Sequence, residues 1–128
     1  MLRNAPLVAF VATTRADDAR TFYVDVLGLE LTSEDDFALV FNAGGTTLRV
    51  ARVEHFEPDP FTVLGWVVDD IEAATAALGA RGVQCERYPE WMEQDALGIW
   101  TAPGGARIAW FKDPDGNTLS LTQFTASA

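Results

Sequence analysis

The fold of this chain can be read from one stretch near its end, Trp110-Phe111-Lys112-Asp113-Pro114-Asp115-Gly116-Asn117-Thr118-Leu119-Ser120-Leu121. Two apolar, strand-like runs flank Asp-Pro-Asp-Gly, in which proline fixes φ and glycine permits positive φ, so the stretch predicts a tight hairpin. A near copy with a shorter turn comes earlier, Val40-Phe41-Asn42-Ala43-Gly44-Gly45-Thr46-Thr47-Leu48-Arg49-Val50. The repeat indicates a duplicated fold whose halves can be compared position by position.

Each half has the same predicted order of elements, β-α-β-β-β. A first strand leads into a helix with a start like a capping box, Thr14 with Asp17 in one half and Asp69 with Glu72 in the other. Gly28 and Gly82 are expected to end these helices in the left-handed conformation. Strands are predicted at residues 7–13, 29–33, 37–42 and 46–53, and again at 61–68, 83–88, 107–112 and 117–124. The prediction is one domain over residues 1–128, with module 1 at 5–53, a linker at 54–60 and module 2 at 61–124.

Three motifs carry a resemblance to a known family. They are Phe22-Tyr23-Val24-Asp25-Val26-Leu27-Gly28-Leu29, Val68-Asp69-Asp70-Ile71 and Asp113-Pro114-Asp115-Gly116-Asn117. With these motifs nearly the whole chain resembles the vicinal oxygen chelate superfamily, which includes glyoxalase I, extradiol dioxygenases, fosfomycin-resistance enzymes and bleomycin-resistance proteins. The resemblance implies an α+β fold in which two tandem βαβββ modules form a curved mixed sheet around a cavity, commonly within a homodimer.

The composition of the chain limits the classes of binding partner that are expected. The chain is 48% hydrophobic with a formal net charge of −10. An acidic surface repels nucleic acid and anionic lipid, so neither is expected as a partner. No apolar run approaches the roughly 20 residues that span a bilayer. The single Cys85 and the absence of a signal-like N-terminus favour a cytoplasmic protein.

The resemblance also implies where a metal would be held. Metal-using members typically place His, Glu or Gln on the first and last strands of each module, and the matching positions here are Val8, Arg49, Val63 and Ser120. Valine, guanidinium and hydroxyl groups do not form a divalent-metal site. A small error in register changes nothing, because residues 4–16, 46–53, 61–68 and 117–128 contain no His, Cys, Asp or Glu. We therefore expect neither metal nor other cofactor.

Strand alternation and the family's geometry predict a largely apolar cavity face that suits a small organic ligand. Its candidate binding residues are Val8, Phe10, Arg49, Val63, Arg107, Phe111 and Ser120. Arg49 has two interpretations, an anchor for a ligand carboxylate or phosphate and an internal salt bridge, including one across a dimer.

The four tryptophans fall into two groups, one expected in the core and one in a long segment of the second half. Trp66 and Trp110 are expected in the core beneath the helices. Trp91 and Trp100 lie in a long segment that also carries Glu90, Glu93 and Asp95. An aromatic and acidic flap of this kind suits a flat cationic ligand. The alternatives are that these rings hold the loop in place or fill a dimer interface.

The leading hypothesis for function is metal-independent binding of a small organic molecule, with sequestration of a toxic or antibiotic compound as its sharpest form. A lyase- or dioxygenase-type enzyme of the same superfamily is the alternative. A non-catalytic regulatory or partner domain is the second alternative. Enzymatic activity is left open, with a binding protein favoured.

Overall fold

The computed structural model describes residues 1–125 as two compact units, one spanning Met1–Pro58 and one starting at Asp59. Each unit is a βαβββ module with a four-stranded mixed sheet. The predicted α+β class and the duplicated order of elements are confirmed. Within the described residues, no helix is long and apolar enough to cross a membrane.

Module 1 contains β1 (Val8–Thr13), α1 (Ala16–Thr21) with a π-helical continuation (Phe22–Val26), β2 (Glu30–Glu34), β3 (Ala38–Ala43) and β4 (Thr46–Arg52). The sheet order is β1-β4-β3-β2, with β1 parallel to β4 and the other pairs antiparallel. Gly44 and Gly45 join β3 to β4 with φ of 60° and 91°, which side chains disfavour.

Module 2 contains β5 (Thr62–Val67), α2 (Ile71–Ala80), β6 (Trp100–Thr101), β7 (Arg107–Lys112) and β8 (Thr118–Gln123), in the equivalent order β5-β8-β7-β6. The Asp113 carboxylate fixes the turn between β7 and β8. It accepts hydrogen bonds from the backbone N–H groups of Asp115 (3.0 Å) and Asn117 (2.9 Å) and from Asn117 Nδ2 (2.8 Å). The turn in this way sets the register that pairs Trp110 with Ser120.

The strand predicted at residues 83–88 is wrong, since β6 is the edge strand of this sheet. The reason is a competing side chain. Gln94 Oε1 accepts a hydrogen bond from Tyr88 N (2.7 Å), and Gln94 Nε2 donates to Glu86 O (2.9 Å). Glu86 N does donate to Trp110 O on β7 at 2.7 Å, but Glu86 O and Tyr88 N, which a strand would also offer to its neighbour, are bonded to an amide side chain.

The helices begin later than predicted. The cap of α1 is Arg15 rather than Thr14, and the cap of α2 is Asp70 rather than Asp69. The Asp70 carboxylate accepts a hydrogen bond from Ala73 N at 3.0 Å, as an N-cap does. Gly28 and Gly82 follow the helices with φ of 73° and 84°, as expected.

Each sheet has a closed face that carries the core and packs on its helix. In module 1 the Tyr23 ring lies 5.5 Å from the Phe41 ring. In module 2 the Gln123 side chain accepts a hydrogen bond from Ile71 N at 2.8 Å, at the start of α2. The fully buried side chains of the two closed faces include Leu39, Phe41, Leu48, Val50, Ala109, Phe111 and Leu119. Alternation along the strands leaves the opposite, open face of each sheet for function.

Candidate functional site

The strand registers define equivalent rows on the two open faces. In module 1 the central row is Phe10–Arg49–Val40. In module 2 it is Gly65–Ser120–Trp110. Arg49 and Ser120 therefore occupy matching positions on the last strand of each module.

The open face of module 1 is apolar around one positive charge. Val8 and Phe10 are 42% and 62% exposed, and Arg49 lies half-buried between Phe10 and Val40. Arg49 forms no hydrogen bond and no ion pair with any other residue in the described range 1–125. Its charge makes a minor contribution to lowering the pKa of Asp35, which is set mainly by hydrogen bonds from the backbone N–H groups of Phe37 and Ala38. Inside the described chain, the salt-bridge interpretation of Arg49 is therefore not realised.

Two predicted site residues lie on the other side of the module 2 sheet. Phe111 pairs with Leu119 on the closed face and is completely buried. Arg107 also points to the helix, where its Nη2 donates to Glu72 Oε1 at 2.7 Å. The prediction that these two side chains share a face with Ser120 is wrong, because the hairpin register pairs Ser120 with Trp110 instead.

Trp110, which the alternation predicts in the core, is instead a functional candidate. It lies on the open face beside Ser120, and its Nε1 donates to Thr62 Oγ1 at 3.0 Å. Trp66, by contrast, pairs with Leu121 on the closed face, where it is half-buried. Counting residue pairs outward from the Asp113–Asn117 turn places Trp110 opposite Ser120, so the sequence contained the necessary signal.

Trp110 belongs to a group of four rings that we call the aromatic cluster: Tyr88, Trp91, Trp100 and Trp110. Tyr88 stacks on Trp91 with ring centroids 5.9 Å apart and meets Trp110 edge-on at 5.8 Å. Trp100 lies 6.1 Å from Trp110. These separations are those of favourable aromatic pairs. Burial raises the pKa of the Tyr88 phenol, so this ring stays neutral at physiological pH.

The segment that carries Tyr88 and Trp91 is held by side-chain hydrogen bonds to backbone groups. Gln94 bridges Glu86 O and Gly98 O, both at 2.9 Å from its Nε2. Arg87 donates to the carbonyl oxygens of Asp95 (2.5 Å) and Ala96 (2.6 Å). One Asp95 carboxylate oxygen accepts from the N–H groups of Leu97 and Ile99. The predicted flap is therefore a braced loop.

Two depressions border the aromatic cluster. One of about 550 Å³ is lined by Glu93, Gln94, Asp95, Ile99, Trp100 and Thr101. One of about 220 Å³ is lined by Arg87, Tyr88, Pro89, Glu90 and Trp91. A slightly larger depression of about 600 Å³ in module 1 contains none of the predicted site residues, and its Arg15 and Asp18 side chains pair with each other at 2.9 Å. The chemistry therefore favours the module 2 depressions, which combine aromatic rings with carboxylates.

Comparison with known proteins places the chain in a family. The Glyoxalase/Bleomycin resistance protein/Dioxygenase superfamily matches residues 6–121. The chain belongs to this superfamily. No functionally curated protein matches it.

Solved structures of the superfamily share the fold at low sequence identity. A lactoylglutathione lyase from Agrobacterium tumefaciens has 17% identity and a TM-score of 0.72, over 94% of this chain and 93% of that one. TnmS3, an antibiotic binding protein from Streptomyces sp. CB03234, has 24% identity and a TM-score of 0.72, over 98% and 99%. The fosfomycin resistance protein FosX from Listeria monocytogenes has 12% identity and a TM-score of 0.74, over 95% and 94%.

The donor set of this superfamily member does not fit a metal. Val8, Arg49, Val63 and Ser120 lack the imidazole and carboxylate groups that zinc or manganese requires. Val63 lies beside a register irregularity of β5 and is partly exposed. Across residues 1–125, no three His, Cys, Asp or Glu side chains lie close enough together to hold an ion.

Cys85 is the one thiol of the chain. Burial raises its pKa, with a smaller opposing contribution from Arg87 and supporting ones from Asp95 and Glu86. A raised pKa keeps sulfur protonated and unreactive at neutral pH. The thiol therefore fits a packing role rather than that of a nucleophile.

Proposed function

We propose that this protein binds a flat, positively charged aromatic molecule on the open face of module 2 without using a metal. By holding such a compound it would sequester a toxic or antibiotic substance. The observation that carries the proposal is the aromatic cluster, whose outermost ring, Trp91, is 78% exposed although its inner side is already stacked on Tyr88.

Exposure of Trp91 points to binding rather than folding. A tryptophan stabilises a fold by burying its ring, and Trp91 leaves most of its surface in water. The stack on Tyr88 fixes the orientation of the indole, so its free side is a preformed platform. A planar ligand gains stacking energy there without ordering the side chain first.

The carboxylates around the cluster favour a cationic ligand. Arg87 also lines the smaller depression, but its guanidinium is bonded to the carbonyl oxygens of Asp95 and Ala96. Glu90 lines the depression next to Trp91, and Glu93 and Asp95 line the one next to Trp100. An aromatic face attracts cations through its quadrupole, and nearby carboxylates add to this attraction. The net charge of −10 acts in the same direction at longer range.

The superfamily offers a precedent of this kind. TnmS3, which shares the fold, is an antibiotic binding protein. A lactoylglutathione lyase shares the fold as well. The fold therefore accommodates binding proteins and enzymes, and the aromatic cluster is what favours binding here. A cytoplasmic location and a homodimer, both expected from the sequence, remain part of the proposal.

The test is a calorimetric titration with three probes: 9-aminoacridine as a flat cation, anthracene-9-carboxylate as a flat anion, and tetramethylammonium as a cation without a ring. We expect 9-aminoacridine to bind best. The Trp91→Ala variant should weaken it about 5- to 30-fold, which corresponds to the 1–2 kcal/mol of one aromatic contact.

Phe37→Ala is the matched control, because Phe37 is similarly exposed at 76% but lies in module 1. It should leave the affinity unchanged, and so should prior dialysis against EDTA. An unchanged affinity in Trp91→Ala, or preference for the flat anion, would contradict the proposal.

A further inference from the structure

We propose that the Ser120 hydroxyl is a ligand-binding group at the base of the aromatic cluster, and that Gly65 keeps it accessible. The ligand class is then narrower: a flat cationic aromatic molecule that carries a hydrogen-bonding oxygen on its ring edge. This inference rests on the proposed function and deepens it.

Ser120 is exceptional among the buried polar side chains. Six such residues are buried in residues 1–125: Thr13, Thr75, Asp113, Asn117, Thr118 and Ser120. Thr13 accepts from Arg15 N, Thr75 donates to Ile71 O, and Thr118 accepts from Lys112 Nζ. Asp113 and Asn117 bond to each other. Within the described chain, the Ser120 hydroxyl alone of this set has no hydrogen-bond partner.

This hydroxyl is nevertheless reachable. Ser120 is 8% exposed as a residue. No fully enclosed side-chain oxygen or nitrogen in residues 1–125 lacks a partner, so the unpartnered Ser120 Oγ must retain some accessible surface. Buried polar groups are normally paired, because losing water without a replacement hydrogen bond is costly. A ligand atom would supply the missing partner.

Gly65 determines the space around this hydroxyl. A Cβ on residue 65 would lie 2.6 Å from Ser120 Oγ, much closer than atoms can pack. The backbone of Gly65 does not require glycine, because its φ is not positive. Glycine inside a strand is unfavourable and often marks the close approach of another group. Here its missing side chain lets the hydroxyl lie over β5 on the open face.

Trp110 completes the arrangement from the other side of Ser120. Its indole N–H is occupied by Thr62 Oγ1, so this ring offers its apolar surface rather than its donor. The row Gly65–Ser120–Trp110 thus combines an opening, one unpaired hydroxyl and an aromatic wall. Ligand sites typically combine apolar walls with a few well-placed polar groups. A planar molecule against Trp110 would place a ring-edge oxygen at Ser120.

The experiment compares harmane with harmol, two flat β-carboline cations that differ by one ring hydroxyl, at a pH where both are protonated. We expect the wild-type protein to bind harmol about 3- to 10-fold more tightly, the ratio given by one neutral hydrogen bond. Ser120→Ala should bring the harmol affinity down to that of harmane. Gly65→Ala should do the same, because the new methyl group turns Ser120 Oγ aside.

Thr122→Val is the control, since it removes the hydroxyl of the neighbouring row, Val67–Thr122–Ile108. It should preserve the preference for harmol, and loss of the preference in this variant would overturn the assignment to Ser120. Equal binding of both compounds by the wild type would overturn the inference and leave the proposed function standing. If neither compound binds, both fail. Thermal unfolding of each variant establishes that it is folded. If Ser120→Ala does not fold, Gly65→Ala provides the test.

Discussion

Phe41 and Phe111 occupy the same place in their modules, and so do Leu48 and Leu119, which pair with them. All four are essentially buried on the closed faces. The open faces have diverged instead, with Phe10–Arg49–Val40 in one module and Gly65–Ser120–Trp110 in the other. Packing against a helix restricts side-chain volume, whereas an open face is free to change. The difference between the modules therefore falls on the face that carries the residues we propose for binding.

The largest effect on the free energy of unfolding is expected on the closed faces, where the two modules match. Phe41→Ala and Phe111→Ala each remove a fully buried ring, so each should lower the free energy of unfolding by about 3–5 kcal/mol. Denaturant unfolding measures this. Losses that differ by more than about 2 kcal/mol would show that the two closed faces are not energetically equivalent.

A smaller effect is expected where each module ties its helix to its sheet by an ion pair. In module 1 Glu34 accepts hydrogen bonds from Arg20 and from Arg52, the latter at 2.8 Å, whereas in module 2 Glu72 binds Arg107 at 2.7 Å. The hydrogen bond from Arg20 is the main cause that lowers the pKa of Glu34. A lowered pKa in the folded state stabilises the protein above the unfolded-state pKa, and this contribution disappears as pH falls through the folded-state value.

Glu34→Gln should therefore lower the Tm slightly at pH 7 and leave it unchanged in acid, below the folded-state pKa of Glu34. Thermal melts across this range measure the difference. Glu72→Gln serves as the comparison in module 2. A Tm loss in Glu34→Gln that is the same at every pH would contradict a role for the ionised carboxylate.

The smallest effect on stability should come from Arg49. Since this half-buried charge has no acceptor within residues 1–125, Arg49→Met removes an uncompensated desolvation cost. We expect the free energy of unfolding to stay the same or to rise by up to about 1 kcal/mol. Denaturant unfolding over a range of protein concentrations is the measurement. A clear destabilisation that grows with protein concentration would instead reveal a salt bridge to a second copy.

The sequence predicted the architecture well because duplication gives each element two independent signals. Both hairpins and both glycine-terminated helices are found where repeated patterns indicate them. Residues 83–88 are the exception. The Gln94 side chain forms hydrogen bonds with backbone groups that this segment would use in a strand. Competition from a side chain outside the strand itself is not visible in local β propensity.

The errors at the site have one geometric origin. Alternation shows which side chains of one strand share a face. It does not show which side chains of the neighbouring strand lie on that same face. That information resides in the turn, where Asp113 and Asn117 face each other and Trp110 therefore meets Ser120. Alternation alone places Phe111 and Arg107 on the open face and Trp110 on the closed one, whereas the register from the turn exchanges them.

The bracing of residues 86–99 has a consequence for the rates of binding. Gln94, Arg87 and Asp95 hold this segment through hydrogen bonds to its own backbone groups. Association then requires no closing step, and its rate constant is set by encounter and electrostatic attraction. Differences in affinity among related compounds should accordingly lie in how long each remains bound. The proposed sequestration would then begin at first contact, and discrimination among compounds would lie in residence time.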